Sequence, residues 1–197
     1  MSLAQRRVER SRLEVAELAL GLSIERGWDN ITVADLVAVS EVSSRTFYRY
    51  FARKEDVFEP LLRSASERLQ VIFRDCDDPD IASRSAAALA ASLQTFVPGG
   101  IEAVHLGYRI LLNHADLRPV WLAAAYDAEP LFATTLNAAF PELDDGHEGR
   151  LIAAIIITAQ RVALVDWAGG PSTDSLRELA ERAIRTGLHA LGNPATA

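Results

Sequence analysis

A single cysteine, a single methionine and a single lysine occur among the 197 residues, and aromatic residues make up only 7%. One cysteine, Cys76, cannot close an internal disulfide, which excludes a disulfide scaffold and suits a reducing cytoplasm. Its neighbours Asp75, Asp77 and Asp78 disfavour a thiolate, so a redox role is not expected. Clean apolar runs are short. Ile155-Ile156-Ile157 is typical, far from the ~20 residues that cross a bilayer, so no membrane association is expected. No basic stretch followed by an apolar one opens the chain, so no secretory signal is expected and the location reads as cytoplasmic. Strand signals, low-complexity segments and internal repeats are missing as well.

Catalytic and metal-binding sets are equally scarce. His105, His114, His147 and His189 lack close ligand spacing, and His114 with Asp116 is a pair without a third partner. No glycine loop is built to cradle phosphate, and no Ser or Cys sits in a nucleophile setting. No enzyme, cofactor or metal is expected.

What remains is an ordinary globular composition, 49% hydrophobic and 24% charged, and a length that fits one domain or one with an appendage. The net charge of −7 hides an asymmetry. Residues 1–54 carry nine Lys/Arg against seven Asp/Glu, whereas residues 55–197 carry eleven against twenty. A basic head on an acidic body divides the chain into two functional parts.

Glycine and proline gather at Gly27, Pro98-Gly99-Gly100, Pro141 and Gly169-Gly170-Pro171, and apolar residues between them recur at helical spacing. About nine helices are expected, giving an all-α fold. The first covers 5–26, burying Val8, Leu13, Ala16, Leu20 and Ile24, with Gly27 at its C-terminus. Short helices follow at 33–39, behind a capping box of Thr32 and Asp35, and at 44–51 behind Ser43. Longer ones fall near 54–74, 81–97, 101–115, 117–140 with an interruption at Pro130, 148–168 and 175–191. The eighth is apolar nearly all round. On the ninth, Leu176, Leu179, Ala183, Ile184 and Leu188 share a side.

Residues 31–54, ITVADLVAVSEVSSRTFYRYFARK, carry the chemistry. Two short helices joined by a turn around Ser40-Glu41-Val42 make a helix-turn-helix. With Phe47 at 0°, Phe51 lies near about 40° and Ser43 near about 320°, toward the core. Arg45 and Arg49 lie near about 160° and 200°, on the opposite face, flanked by Thr46 and Tyr48. Such a helix suits the major groove, where Arg binds guanine bidentately and a Thr methyl touches thymine. Thr32, Val33, Ser43 and Ser44 begin the two helices, where free N–H groups favour an anion. Tyr48 and Tyr50 can donate to phosphate oxygens, and Lys54 can meet the backbone at the edge of the site. Arg6, Arg7, Arg10 and Arg12 form a basic first stretch that reaches the backbone too.

Residues 16–58 resemble the DNA-binding head of the TetR family of bacterial repressors. Thr32-Val33, Thr46-Phe47-Tyr48-Arg49-Tyr50-Phe51 and Lys54-Glu55 carry the resemblance most strongly. Two positions depart from it: Glu41 stands where the family usually has Gly in the turn, and Arg45 where Gly is frequent. The resemblance implies a head of residues 1–53 and a ligand-binding and dimerisation bundle of residues 54–197. It implies a homodimer paired through the last two helices, and a small-molecule pocket whose occupation moves the fourth helix and spreads the heads. The segment GYRILLNHADLRPVW, residues 107–121, resembles the TetR subgroup that senses acyl-coenzyme A-like ligands.

Polar and aromatic residues within the apolar helices are ligand candidates: His105, Tyr108, Arg109, Asn113, Trp121, Tyr126 and Arg161. Arg109 and Arg161 either hold a carboxylate or phosphate in a fork or pair with Asp or Glu across the bundle. Ile152, Ile155, Ile156, Ala159, Val162 and Ala163, with Leu179, Ile184, Leu188 and Leu191, exceed the needs of one small core and predict a dimer face. The expectation is a dimeric regulator released from a palindromic double-stranded DNA operator by a small-molecule effector. The alternative is a helical small-molecule-binding protein in which the head only packs.

Overall fold

The computed structural model describes residues 2–94, 99–143, 147–170 and 174–190, and no strand occurs among them. The described residues form nine α-helices: α1 (Leu3–Arg26), α2 (Val33–Ser40), α3 (Ser44–Tyr50), α4 (Glu59–Asp75), α5 (Ile81–Gln94), α6 (Gly100–Asn113), α7 (Arg118–Ala139), α8 (His147–Gly169) and α9 (Leu176–His189). The all-α expectation holds. The expected extensions to Val97 and Leu191, and the turn residues Pro98 and Pro171, lie outside the described residues.

Three local differences have physical causes. The fourth helix begins as a 3₁₀ turn over Glu55–Phe58, and α4 follows with Pro60 in its first turn, where a missing N–H is harmless. The expected interruption at Pro130 does not occur, and α7 runs through it. Pro130 and Tyr126, one turn earlier, are both exposed, so the carbonyl that loses its partner lies where water can bond it. Finally, α8 is long and apolar enough to span a bilayer by length and composition alone, contrary to the short runs. Single small or polar residues divide its runs without making it polar overall. It serves as a core helix: Ile152, Ala153, Ile156, Ala163 and Leu164 are buried. Its buried Gln160 donates from Nε2 to the Ser85 carbonyl at 3.1 Å.

The chain divides into two compact units, residues 1–64 with 97–124, and residues 65–96 with 125–197. In the first, α1 is capped by a Ser2–Gln5 box and ends at Gly27, whose φ of +80° suits glycine. The buried side of α1 is Val15, Ala16, Ala19, Leu20, Leu22 and Ser23. Leu13 and Ile24 are only half-buried, and Val8 is exposed because the first turns of α1 project beyond the packed part of the unit. The helix α6 crosses α1 closely: a Cβ at Gly107 would stand 3.0 Å from Leu20 Cδ1. Trp28 is 1% exposed and donates its indole N–H to Asp116 Oδ2 at 3.0 Å. His114 Nδ1 lies 3.2 Å from Asp29 Oδ1. These contacts fix the α6–α7 corner to the end of α1.

In the second unit α8 and α9 pack together and against α5. The buried Arg84 of α5 donates to the Phe73 carbonyl at 2.7 Å and the Arg74 carbonyl at 3.0 Å, capping the C-terminus of α4. Its guanidinium stands 4.8 Å from the Phe73 ring centre and 5.3 Å from that of Phe140. Arg185 of α9 grips Asp80 with two bonds, at 2.9 and 3.1 Å. Hydrogen bonds to Glu181 and Asp80 hold its proton even more firmly than usual.

Candidate nucleic-acid interface

The helix-turn-helix is built by two caps and one strained turn. Thr32 Oγ1 accepts from Asp35 N at 3.3 Å while Asp35 Oδ2 accepts from Thr32 N at 2.8 Å, a reciprocal box that starts α2. The Thr32 hydroxyl and backbone N–H both donate to the Asp35 carboxyl and hold it below its ordinary range. Ser43 Oγ accepts from Thr46 N at 3.1 Å and starts α3. Ser43 is exposed, not turned to the core, because its extended backbone (φ −70°, ψ 152°) places it outside the helical wheel. Between the helices, Glu41 adopts φ +55° and ψ 16°, the only left-handed non-glycine among the described residues. That is the backbone reason glycine is at home in this turn.

The inner face of α3 is fixed by burial. Phe47 is 0% and Phe51 1% exposed, with ring centres 5.2 Å apart. Each contributes roughly 1.5–3 kcal/mol of burial. The outer face follows: Ser44, Arg45, Tyr48 and Arg49 are exposed, and Thr46 and Tyr50 are half-buried. Neither Arg45 nor Arg49 has a carboxylate partner among the described residues. Arg49 stands 5.4 Å from the Tyr50 ring centre, which leaves its N–H fork open. Thr32 is exposed and Val33 half-buried at the start of α2. Residues 32–33 and 43–50 are thus brought together on one head.

Lys54 is less free than the others. Its Nζ donates to the Trp28 carbonyl at 2.9 Å and sits 3.8 Å from the Trp28 ring centre. Of its three donors, two remain for other acceptors. Arg12 is committed as well: it bonds Glu59 at 2.7 Å and Glu9 at 3.3 Å. The spacing of residues in sequence carried no sign of either contact. Trp28 is the residue the sequence argument passed over, and its only signal was a lone aromatic after a helix-ending glycine.

The ligand candidates are scattered. Tyr108 and Trp121 are buried together in the first unit, ring centres 6.1 Å apart, and burial pushes the Tyr108 hydroxyl up to about 12. His105 is half-buried, and Arg109 and Asn113 are exposed. Tyr126 and Arg161 belong to the second unit, Tyr126 at 76% exposure and Arg161 half-buried. Neither Arg109 nor Arg161 has a carboxylate partner among the described residues. The anticipated dimer face is mostly used internally: Ile152, Ile156, Ala163, Leu179, Ile184 and Leu188 are buried in their own unit, and Leu191 lies outside the described residues. What stays open is a groove of about 680 Å³ between α8 and α9, lined by Ala154, Ile155, Thr158, Val162, Ala183 and Gly187 among others.

Residues 16–61 match the model of the tetR family of bacterial regulatory proteins. The head is thus similar to that of TetR-family regulators. The HTH-type transcriptional regulator TcmR of Streptomyces glaucescens is 27% identical over 180 residues, 87% of this chain and 79% of that protein. A TetR-family regulator from Syntrophomonas wolfei superposes with a TM-score of 0.67 at 18% identity, covering 94% of this chain and 96% of its own. Thermus thermophilus FadR, a TetR-family repressor in complex with lauroyl-CoA, gives a TM-score of 0.61 at 21% identity over 90% and 93% of the two chains. TetR-family regulators bind DNA operators and small-molecule effectors and act as dimers.

Proposed function

We propose that the chain represses transcription as a dimer that reads a near-palindromic operator with Arg45, Thr46, Tyr48 and Arg49. The observation that carries this reading is the outer face of α3, where two unpaired arginines stand opposite a buried Phe47–Phe51 pair. Thr32, Val33, Ser43, Ser44, Tyr50 and the two spare donors of Lys54 set the register on phosphates. Residues 1–53 carry DNA binding, and residues 54–197 carry the effector and the dimer contact. A second copy docks through α8 and α9, and a two-fold pair places the recognition helices ~34–36 Å apart or a multiple of that.

Release follows from differential affinity: an effector that binds better to heads set apart shifts the population away from the operator. The close crossing of α6 on α1, and the Trp28–Asp116 bond, give a route from residues 107–121 to the head within one unit. For the effector we carry forward the acyl-coenzyme A-like class that residues 107–121 resemble. Within the first unit, Arg109 is the fork-shaped anchor for its anionic groups, and His105, Tyr108, Asn113 and Trp121 are the candidates near it in sequence. The test is titration of lauroyl-CoA into the protein–operator complex by fluorescence anisotropy. Release at micromolar ligand supports that class, and no release up to saturation refutes it. For the head, Arg49→Ala is expected to weaken operator binding by ~1–3 kcal/mol and relax one base position. Unchanged affinity and base preference remove Arg49 from the reading set.

A further inference from the structure

The first two turns of α1 carry charge that no carboxylate among the described residues pairs with. Leu3 to Val8 are all exposed, and this projecting stretch is kept helical by the Ser2–Gln5 box, with no acidic residue in its first turn. Arg6, Arg7 and Arg10 are exposed there and have no carboxylate partner among the described residues. At 100° per residue they span about 100° of one face. Glu9 and Arg12 lie on the other side, roughly 60° and 120° around from Arg6. That second side is occupied: Arg12 pairs with Glu59 and stands 5.5 Å from the Phe51 ring centre, and Glu9 pairs with Arg12 and Arg63.

These contacts locate the free stripe. Arg12 is pinned at the C-terminal end of α3 and the start of α4, and at 1.5 Å per residue Arg6 projects about 9 Å beyond it. The stripe therefore belongs to the unit that carries Arg45 and Arg49 but is separate from the face of α3 that holds them, and a bound duplex offers it phosphates. A solvated helix end gains nothing from three clustered guanidinium groups, which repel one another. In contrast, the body of the chain is acidic, with twenty Asp/Glu against eleven Lys/Arg over residues 55–197.

We infer that Arg6, Arg7 and Arg10 form a second DNA-contact surface that grips the phosphates flanking the operator core, independent of the bases read by α3. This inference rests on the DNA-binding reading. Each neutralised phosphate steepens the dependence of log affinity on log salt by about 0.9, so three contacts per head add about 2.7.

The full chain is compared with a triple Gln variant (Arg6→Gln, Arg7→Gln, Arg10→Gln) and a triple Lys variant. The duplex is one selected by the wild-type protein from random DNA, either trimmed to the core or extended by flanking sequence at both ends. The Gln variant is expected to keep the base motif and the helix content, to lose about 2.7 of slope per head, and to lose its sensitivity to trimming. The Lys variant keeps the wild-type slope. Counting one head, the wild-type advantage over the Gln variant should shrink about 40-fold between 50 and 200 mM salt. Equal slopes on a duplex that the wild type does select overturn the inference alone. So does wild-type binding that ignores the flanks, a result that stands even if the Gln variant misfolds. Arginine-dependent binding to anionic vesicles without any slope change on DNA overturns it in favour of a membrane surface. If the wild type selects no duplex at all, the DNA-binding reading falls first and this surface with it.

Discussion

The left-handed residue in the DNA-binding turn offers a quantitative check on how the head is built. Glu41 holds φ +55° and ψ 16°, a conformation that costs a non-glycine residue about 1–2 kcal/mol. Replacing it with glycine removes that strain but adds about 0.5–1 kcal/mol of lost backbone freedom on folding. The net expectation for Glu41→Gly is stabilisation by about 0.5–1 kcal/mol. In a chain of this size each kcal/mol moves Tm by about 2–4 °C, so calorimetry should show a rise of about 1–4 °C. Charge enters separately. A carboxylate about 8 Å from a phosphate across water is repelled by about 0.5 kcal/mol, roughly a twofold loss of affinity. Glu41→Gln removes the charge and keeps the strain, so it should tighten DNA binding about twofold with no gain in Tm. Glu41→Gly should show both effects, and Glu41→Asn should recover part of the thermal gain because Asn tolerates this conformation. A glycine variant no more stable than the Gln variant would refute the strain argument.

Lys54→Ala should lower both Tm and affinity for all duplex sequences, since Lys54 packs on the Trp28 ring and bonds its carbonyl; a pure loss of affinity with unchanged Tm contradicts the packing part. Gly187→Ala places a Cβ 2.8 Å from Ile155 Cγ2, and should cost about 1–3 kcal/mol by denaturant melting and shift the monomer–dimer balance in sedimentation; a silent substitution excludes a close α8–α9 contact. For Tyr108, burial favours the neutral hydroxyl, so the folded state binds this proton more tightly than the unfolded one. Its contribution is present below pH 10 and is lost as pH rises from about 10 to about 12, on the order of 2–3 kcal/mol in all. Tyr108→Phe should remove that component from the alkaline stability curve, and superimposable curves would show that the hydroxyl is not buried in solution.

The head was legible in the sequence because its signals are local. Thr32 with Asp35, Ser43 with Thr46, and the four-residue spacing of Phe47 and Phe51 each specify structure within a single turn. The first stretch of α1 was misread at Val8, because a helical wheel gives the direction of an apolar residue but not whether anything stands there to cover it. Long-range pairs left no trace. Trp28 with Asp116, 88 positions apart, and Arg185 with Asp80, 105 apart, depend on chain paths that periodicity does not encode. The dimer face was overestimated for the same reason: an apolar stripe on α8 reads alike whether α5 and α9 or a second copy will bury it. Pro130 shows the converse, a strong local breaker accommodated where its turn of α7 is exposed.

The central claim is that two copies of α3, held in one dimer, read DNA sequence through Arg45 and Arg49. Selection of bound duplexes from a random library by the purified protein at about 150 mM salt tests it most directly. The account predicts recovery of a near-palindromic motif with half-sites ~34–36 Å apart or a multiple of that, and its loss at specific base positions when Arg45 or Arg49 is replaced by Ala. Recovery of no motif by protein shown to be folded and dimeric would contradict it.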